Sequence, residues 1–168
     1  KVTKLINAYV DTATRPTLGI STIDCKLTSR GYGFFMNRLD SWIGNHISGT
    51  VTQSGNYGLL YCYSSSTVVN NYLEQTDSAG RDALYVKESD TRVGKMTNNI
   101  CINRGTGAGG NLQYGSCSDN YFYSALGIAL TVGGSVKRVV NNICITESTN
   151  SNALRSLADY TVGNTAIC

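Results

Sequence analysis

The sequence predicts an all-β protein, a single-stranded right-handed parallel β-helix, or solenoid, of about six to seven coils. Three observations carry that expectation. The stretch VKRVVNNICIT (136–146) has a close echo in VGKMTNNICIN (93–103), and fainter ones in TVVNNYLE (67–74) and CSDNYFY (117–123). Aligning them on the Asn that ends each polar pair gives Asn45, Asn71, Asn99, Asn120 and Asn142, with Asn7 and Asp24 as weaker members. The clear members recur roughly every 21–28 residues, a period that marks stacked repeats. The composition agrees: 18 glycines against one proline supply turns without breaking strands. Val, Ile, Thr and Tyr are common, and no long window has a 3.6-residue apolar period.

Apolar columns are the third observation. Two residues after the aligned Asn come Tyr9, Lys26, Ile47, Leu73, Cys101, Phe122 and Cys144; only Lys26 is wrong for an inward position. Three residues before it come Trp42, Val68, Met96, Cys117 and Val139, all apolar. A second strand in each unit offers the row Leu60, Leu84, Leu112, Ile128 and Leu154. Three such columns in step imply coils stacked about 4.8 Å apart. Asn suits the corner because it tolerates a left-handed backbone and its amide both donates and accepts.

In chain order, residues 1–40 form less regular coils, with LINAYV (5–10) and STIDCKL (21–27) as blurred units. Residues 41–157 form regular coils and 158–168 a terminal segment. The whole of 1–168 reads as one β-helix domain. Its first residue is Lys and nothing there resembles a signal peptide, so a piece of a longer chain is expected.

Several function classes lose support. A net charge of +3 without a basic run gives no footprint for nucleic acid. No apolar run approaches the roughly 20 residues that span a bilayer. Six cysteines lack a C-x-x-C pair, and a single His (His46) completes no metal set, so neither metal nor cofactor is expected. Cys101 and Cys144 share a column with Phe122 between them. At about 9.6 Å they are out of disulfide range. The cysteines therefore read as free thiols filling a core made in a reducing cytoplasm. His46 is expected to point outward as an ordinary surface side chain. The GTGAGG run at 105–110 matches a dinucleotide fingerprint only in form, because strand rather than helix follows it.

The carboxylates are more informative. Glu74 ends one strand, Asp77 sits in the following turn and Asp82 opens the next strand, so two of the three can meet across a coil corner the roughly 5–9.5 Å that glycoside hydrolysis needs between two carboxyl groups, one held protonated. The alternative is a set of solvated turn residues paired with Arg81, Arg92 or Lys87. With Leu60 and Leu84 inward, Tyr61, Tyr63 and Tyr85 point outward, and Gln113 and Arg155 continue the Tyr61–Tyr85 column. Aromatic faces beside hydrogen-bonding groups suit sugar rings. With Cys101 and Cys144 inward, Ile100, Ile102, Ile143 and Ile145 form an outward apolar strip of the kind that marks a subunit interface.

The repeated N-N-Φ-x-Φ after an apolar run and the G-Φ-x-Φ second strand, over about residues 40–157, resemble the right-handed parallel β-helix of bacteriophage tailspikes and capsule depolymerases. The pectinase branch fits worse, since N-T-D, D-D, G-H-G and R-I-K are all missing. The tailspike resemblance implies a homotrimer in the virion tail, made in the host cytoplasm, that binds and hydrolyses bacterial surface polysaccharide. It implies no residue-by-residue catalytic assignment. The trimer would use Ile100, Ile102, Ile143 and Ile145; Glu74, Asp77 and Asp82 would cleave; Tyr61, Tyr63, Tyr85, Gln113 and Arg155 would bind sugar. The other reading is a non-catalytic shaft, trimerisation or adhesin module.

Overall fold

A computed structural model describes residues 21–31, 33–35, 41–51, 58–63, 66–76, 80–87 and 94–168. Among these residues there is no helix; parallel strands stack as a solenoid of about six turns. Hydrogen bonding divides them into two sheets. The larger has two arms joined by the long strands Gly110–Ser118 and Leu130–Val140, so each coil presents three faces. Phe34–Phe35, Gly58–Tyr63, Asp82–Lys87, the starts of both long strands and Leu154–Ser156 make the first face. The second runs through Ser21–Ile23, Ser41–Ile43, Thr67–Val69, Lys95–Thr97, the ends of the long strands and Tyr160–Val162. The third is the smaller sheet, from Lys26–Arg30 through Tyr72–Gln75 and Ile100–Asn103 to Thr165–Ile167.

The corner between the second and third faces divides its labour between two residues. The first takes the left-handed backbone: Asp24, Gly44, Asn70, Asn98, Asp119, Asn141 and Gly163 all have φ between 50° and 69°. Asp, Asn and Gly reach that conformation with little steric cost. The second residue is the buried Asn, and it is not the left-handed one, contrary to the reason the sequence suggested for it. Its backbone N–H and Nδ2 both donate to Oδ1 of the next Asn. For Asn71 and Asn99 both bonds are 3.0 Å; for Asn99 and Asn120 they are 2.9 and 3.0 Å. The remaining Nδ2 hydrogen turns to main-chain carbonyls, as from Asn99 to Val68 at 2.8 Å. Asn164, absent from the sequence alignment, joins as acceptor for Asn142 at 2.8 and 2.9 Å. An amide with two acceptor lone pairs and two donors is spent completely in this arrangement.

The ladder also corrects the first repeat. Ile23 pairs with Ile43 and Lys26 with His46, so Cys25, not Asp24, stands where Asn45 stands in the next coil. Its N–H donates to Asn45 Oδ1 at 2.9 Å. The residue two further on is then Leu27, which is buried, and Lys26 points outward; the one discordant member of the column disappears. Asn7 and Tyr9 lie outside the described residues.

The second-face column Trp42, Val68, Met96, Cys117 and Val139 is in register and buried as expected. So is the third-face column Ile47, Leu73, Cys101, Phe122 and Cys144. The first-face row is different. Its members are Phe34, Leu60, Leu84, Gly110, Leu130 and Leu154. Leu112 belongs one inward position along, between Val86 and Val132, and Ile128 falls outside the strand altogether. Loops of unequal length join the third face to the first, so counting from the Asn loses register there.

The cysteines are free, and Cys62, Cys101, Cys117 and Cys144 are buried in the core, but Cys25 is half-buried and Cys168 exposed, so the core-filling expectation holds for four of the six. Burial pushes all four thiols up, Cys117 and Cys144 to about 12, which makes them inert packing groups.

Candidate functional site

The outer surface of the first face holds most of the predicted sugar-binding residues. Tyr61 and Tyr85 stand on adjacent rungs with ring centroids 5.3 Å apart and planes 6° from parallel. They are not equally available: Tyr61 is only 9% exposed, whereas Tyr85 is half-buried. The rungs that follow are Asn111, Thr131 and Arg155. Arg155 therefore continues the column as predicted. Gln113 sits two residues beyond it, and Asn111 takes the place assigned to Gln113. The shift follows directly from the first-face register.

Asn111 ties the surface together. Gln113 Nε2 donates to Asn111 Oδ1 at 2.6 Å, and Asn111 Nδ2 donates to Asp82 Oδ2 at 3.0 Å. The other carboxyl oxygen of Asp82 accepts the Ala108 N–H at 2.8 Å. Gln113 lies over Gly133, where a Cβ would come within 2.8 Å of its Oε1. Asp82 is nearly buried, and burial pushes its carboxyl up to about 6 against the two donors and the nearby Arg81 charge. A carboxyl group of that kind is part-protonated near neutrality, as a general acid must be.

Glu74 stands elsewhere. It points outward from the third face, where Arg104 meets its Oε1 through Nη2 at 3.0 Å and Nε at 3.1 Å. The Tyr72 hydroxyl donates to its other oxygen at 3.1 Å. Burial, then the Glu74 carboxylate, raises the Tyr72 phenol. Arg104 also covers the Tyr123 ring at 5.6 Å. Glu74 and Asp82 are thus held by separate partners on separate faces. Asp77 and the side chain of Tyr63 lie outside the described residues.

The isoleucine strip has the predicted orientation. Cys101 and Cys144 are buried, while Ile100 and Ile143 are 43% and 44% exposed, with Ile102 and Ile145 half-buried beside them. Sequence reasoning missed what lies between. Tyr121 and Tyr123 occupy the intervening rung, Tyr72 the rung before, and Ile167 extends the strip. These tyrosines hold the same places after a ladder Asn as the isoleucines, which was the available signal. His46 points outward as expected, with its ring 4.6 Å from that of Tyr72.

No family model, curated protein or solved structure matches this chain.

Proposed function

We propose that this solenoid binds a bacterial surface polysaccharide along its first face and hydrolyses it, in the manner of a phage tailspike. The observation that supports this most is the Asp82 carboxyl, raised to about 6 and hydrogen-bonded through Asn111 into a polar row beside Tyr85. In this reading Asp82 donates the proton to the leaving oxygen. Tyr85, backed by Tyr61, offers an aromatic face to a sugar ring, while Asn111, Gln113 and Arg155 bind hydroxyls along the stack. The second carboxyl is assigned to Asp77, because Glu74 already pairs with Arg104. The third-face strip of Ile100, Ile102, Ile143 and Ile145, with Tyr121 and Tyr123, is the surface proposed for two further copies in a virion-tail trimer. The free core thiols suit assembly in a host cytoplasm.

A non-catalytic shaft is the second reading, and the engagement of Glu74 by Arg104 and Tyr72 favours it. Incubation with capsule and O-antigen preparations, followed by sizing of the glycan, separates the two. Cleavage that is lost in Asp82→Asn while binding persists supports the hydrolase. Binding without cleavage by the wild type leaves the shaft, and undiminished cleavage by Asp82→Asn removes Asp82 from the role.

A further inference from the structure

The second face carries a feature that the first-face reading does not use. Its outward column runs Thr67, Lys95, Ser116, Arg138 and Tyr160, and the neighbouring one runs Val69, Thr97, Ser118, Val140 and Val162. Lys95 and Arg138 are two rungs apart, about 9.6 Å along the stack, with the short Ser116 between them. The result is a groove of about 330 Å³ with a cation on each flank and Ser116, Ser118 and Thr97 on its floor. Asp119 closes one end, where Asn141 Nδ2 donates to its Oδ1 at 3.4 Å. Among the described residues neither Lys95 nor Arg138 pairs with a carboxylate; the Arg138 guanidinium lies 5.6 Å over the Tyr160 ring, on the rung beyond the groove.

We infer that this groove is a binding site for a uronate-type sugar, one carboxylate between Lys95 and Arg138 and its hydroxyls on Ser118, Thr97 and Asp119. Both cations line the groove, and a carboxylate has two oxygens, one for each of them. Among the described residues that line it, two cations and one acid give a local balance of one positive charge, which matches a monoanion. Asp119 repels a second negative charge close by, as in a phosphate dianion or a nucleic-acid backbone, but accepts hydrogen bonds from sugar hydroxyls. The hydroxyl floor supplies partners that a bare counter-ion would not need. The groove lies on a different face from Asp82, so it stands independently of the hydrolase reading.

Titration of the full chain with trigalacturonate, with neutral maltotriose and a sulfated carrageenan disaccharide, which has no carboxylate, as comparators, tests the inference. Trigalacturonate is expected to bind and to shift the amide resonances of Thr97, Ser116 and Ser118, while maltotriose does not. Lys95→Gln and Arg138→Gln, both outward substitutions checked for unchanged melting, should each weaken binding about tenfold. Asp119→Asn should strengthen it severalfold. Absence of trigalacturonate binding at millimolar concentration overturns the inference, as does affinity unchanged in the double Lys95→Gln, Arg138→Gln variant. Tighter binding of the sulfated disaccharide overturns the carboxylate assignment.

Discussion

Gly110 lies against the ring of Phe122 across the solenoid interior: a Cβ on Gly110 would stand 2.4 Å from Cε1 and 2.7 Å from Cδ1 of that ring. The largest buried side chain of the third-face column thus sits opposite the glycine of the inward first-face row. Gly110→Ala should destabilise the fold by about 1–3 kcal/mol through overpacking. Urea denaturation checks this. Adding Phe122→Leu should recover part of the loss, since the two sites share one space.

Asn99 serves both neighbouring coils. Its Oδ1 accepts two donors from Asn71, and its Nδ2 reaches Asn120 and the Val68 carbonyl. Asn99→Ala strips the Asn71 N–H of its acceptor and the Val68 carbonyl of the Asn99 Nδ2 donor, at about 1–3 kcal/mol for each. A loss of about 3 kcal/mol or more is expected by chemical denaturation. A loss under 1 kcal/mol would show that the ladder contributes little.

The residue beside it should behave quite differently. Asn98 is exposed with φ 54°. Asn98→Gly keeps that conformation and should change stability by less than about 0.5 kcal/mol. Asn98→Val places a branched Cβ in a left-handed backbone and should cost about 1–2 kcal/mol. Thermal melts of the two variants give the comparison.

Asp82 sets a pH dependence with an unusual sign for a carboxylate. Its pKa rises from 3.8 to about 6 on folding, so the native state holds the proton more tightly than the unfolded chain. The Asp82 contribution is therefore fully present below about pH 4 and is lost as pH rises through about 6. The full change is of the order of 3 kcal/mol. Asp82→Asn should remove this component from a stability profile measured between pH 3.5 and 7.5.

Gln75 is fully buried in the third face between Gly49 and Asn103 in the neighbouring coils, and among the described residues neither atom of its amide has a hydrogen-bond partner. Gln75→Met keeps the volume and removes two unpaired polar atoms. It should stabilise the protein by about 1 kcal/mol or more, read from the denaturation midpoint.

The corner was legible because its requirements are local and repeat in every coil. A left-handed residue, a buried amide and an apolar residue two places later recur as Asn70-Asn71-Leu73 and Asn98-Asn99-Cys101. The blurred first repeat misled because Asp24 can fill the left-handed place, and only strand pairing shows that Cys25 replaces the amide. The same periodicity placed Ile100, Ile102, Ile143 and Ile145 on the outside but overlooked Tyr121 and Tyr123 among them.

By itself, then, the sequence determined the all-β solenoid, the Asn ladder, two of three core columns and the burial of four thiols. Tertiary structure alone decided the first-face register, the Gly110–Phe122 fit, the pairing of Glu74 with Arg104 and the burial of Asp82. The physical reason is where each constraint acts. A corner is fixed by the backbone conformation and amide chemistry of adjacent residues. A first-face rung is fixed by hydrogen bonds to coils before and after it, across loops whose lengths differ from turn to turn.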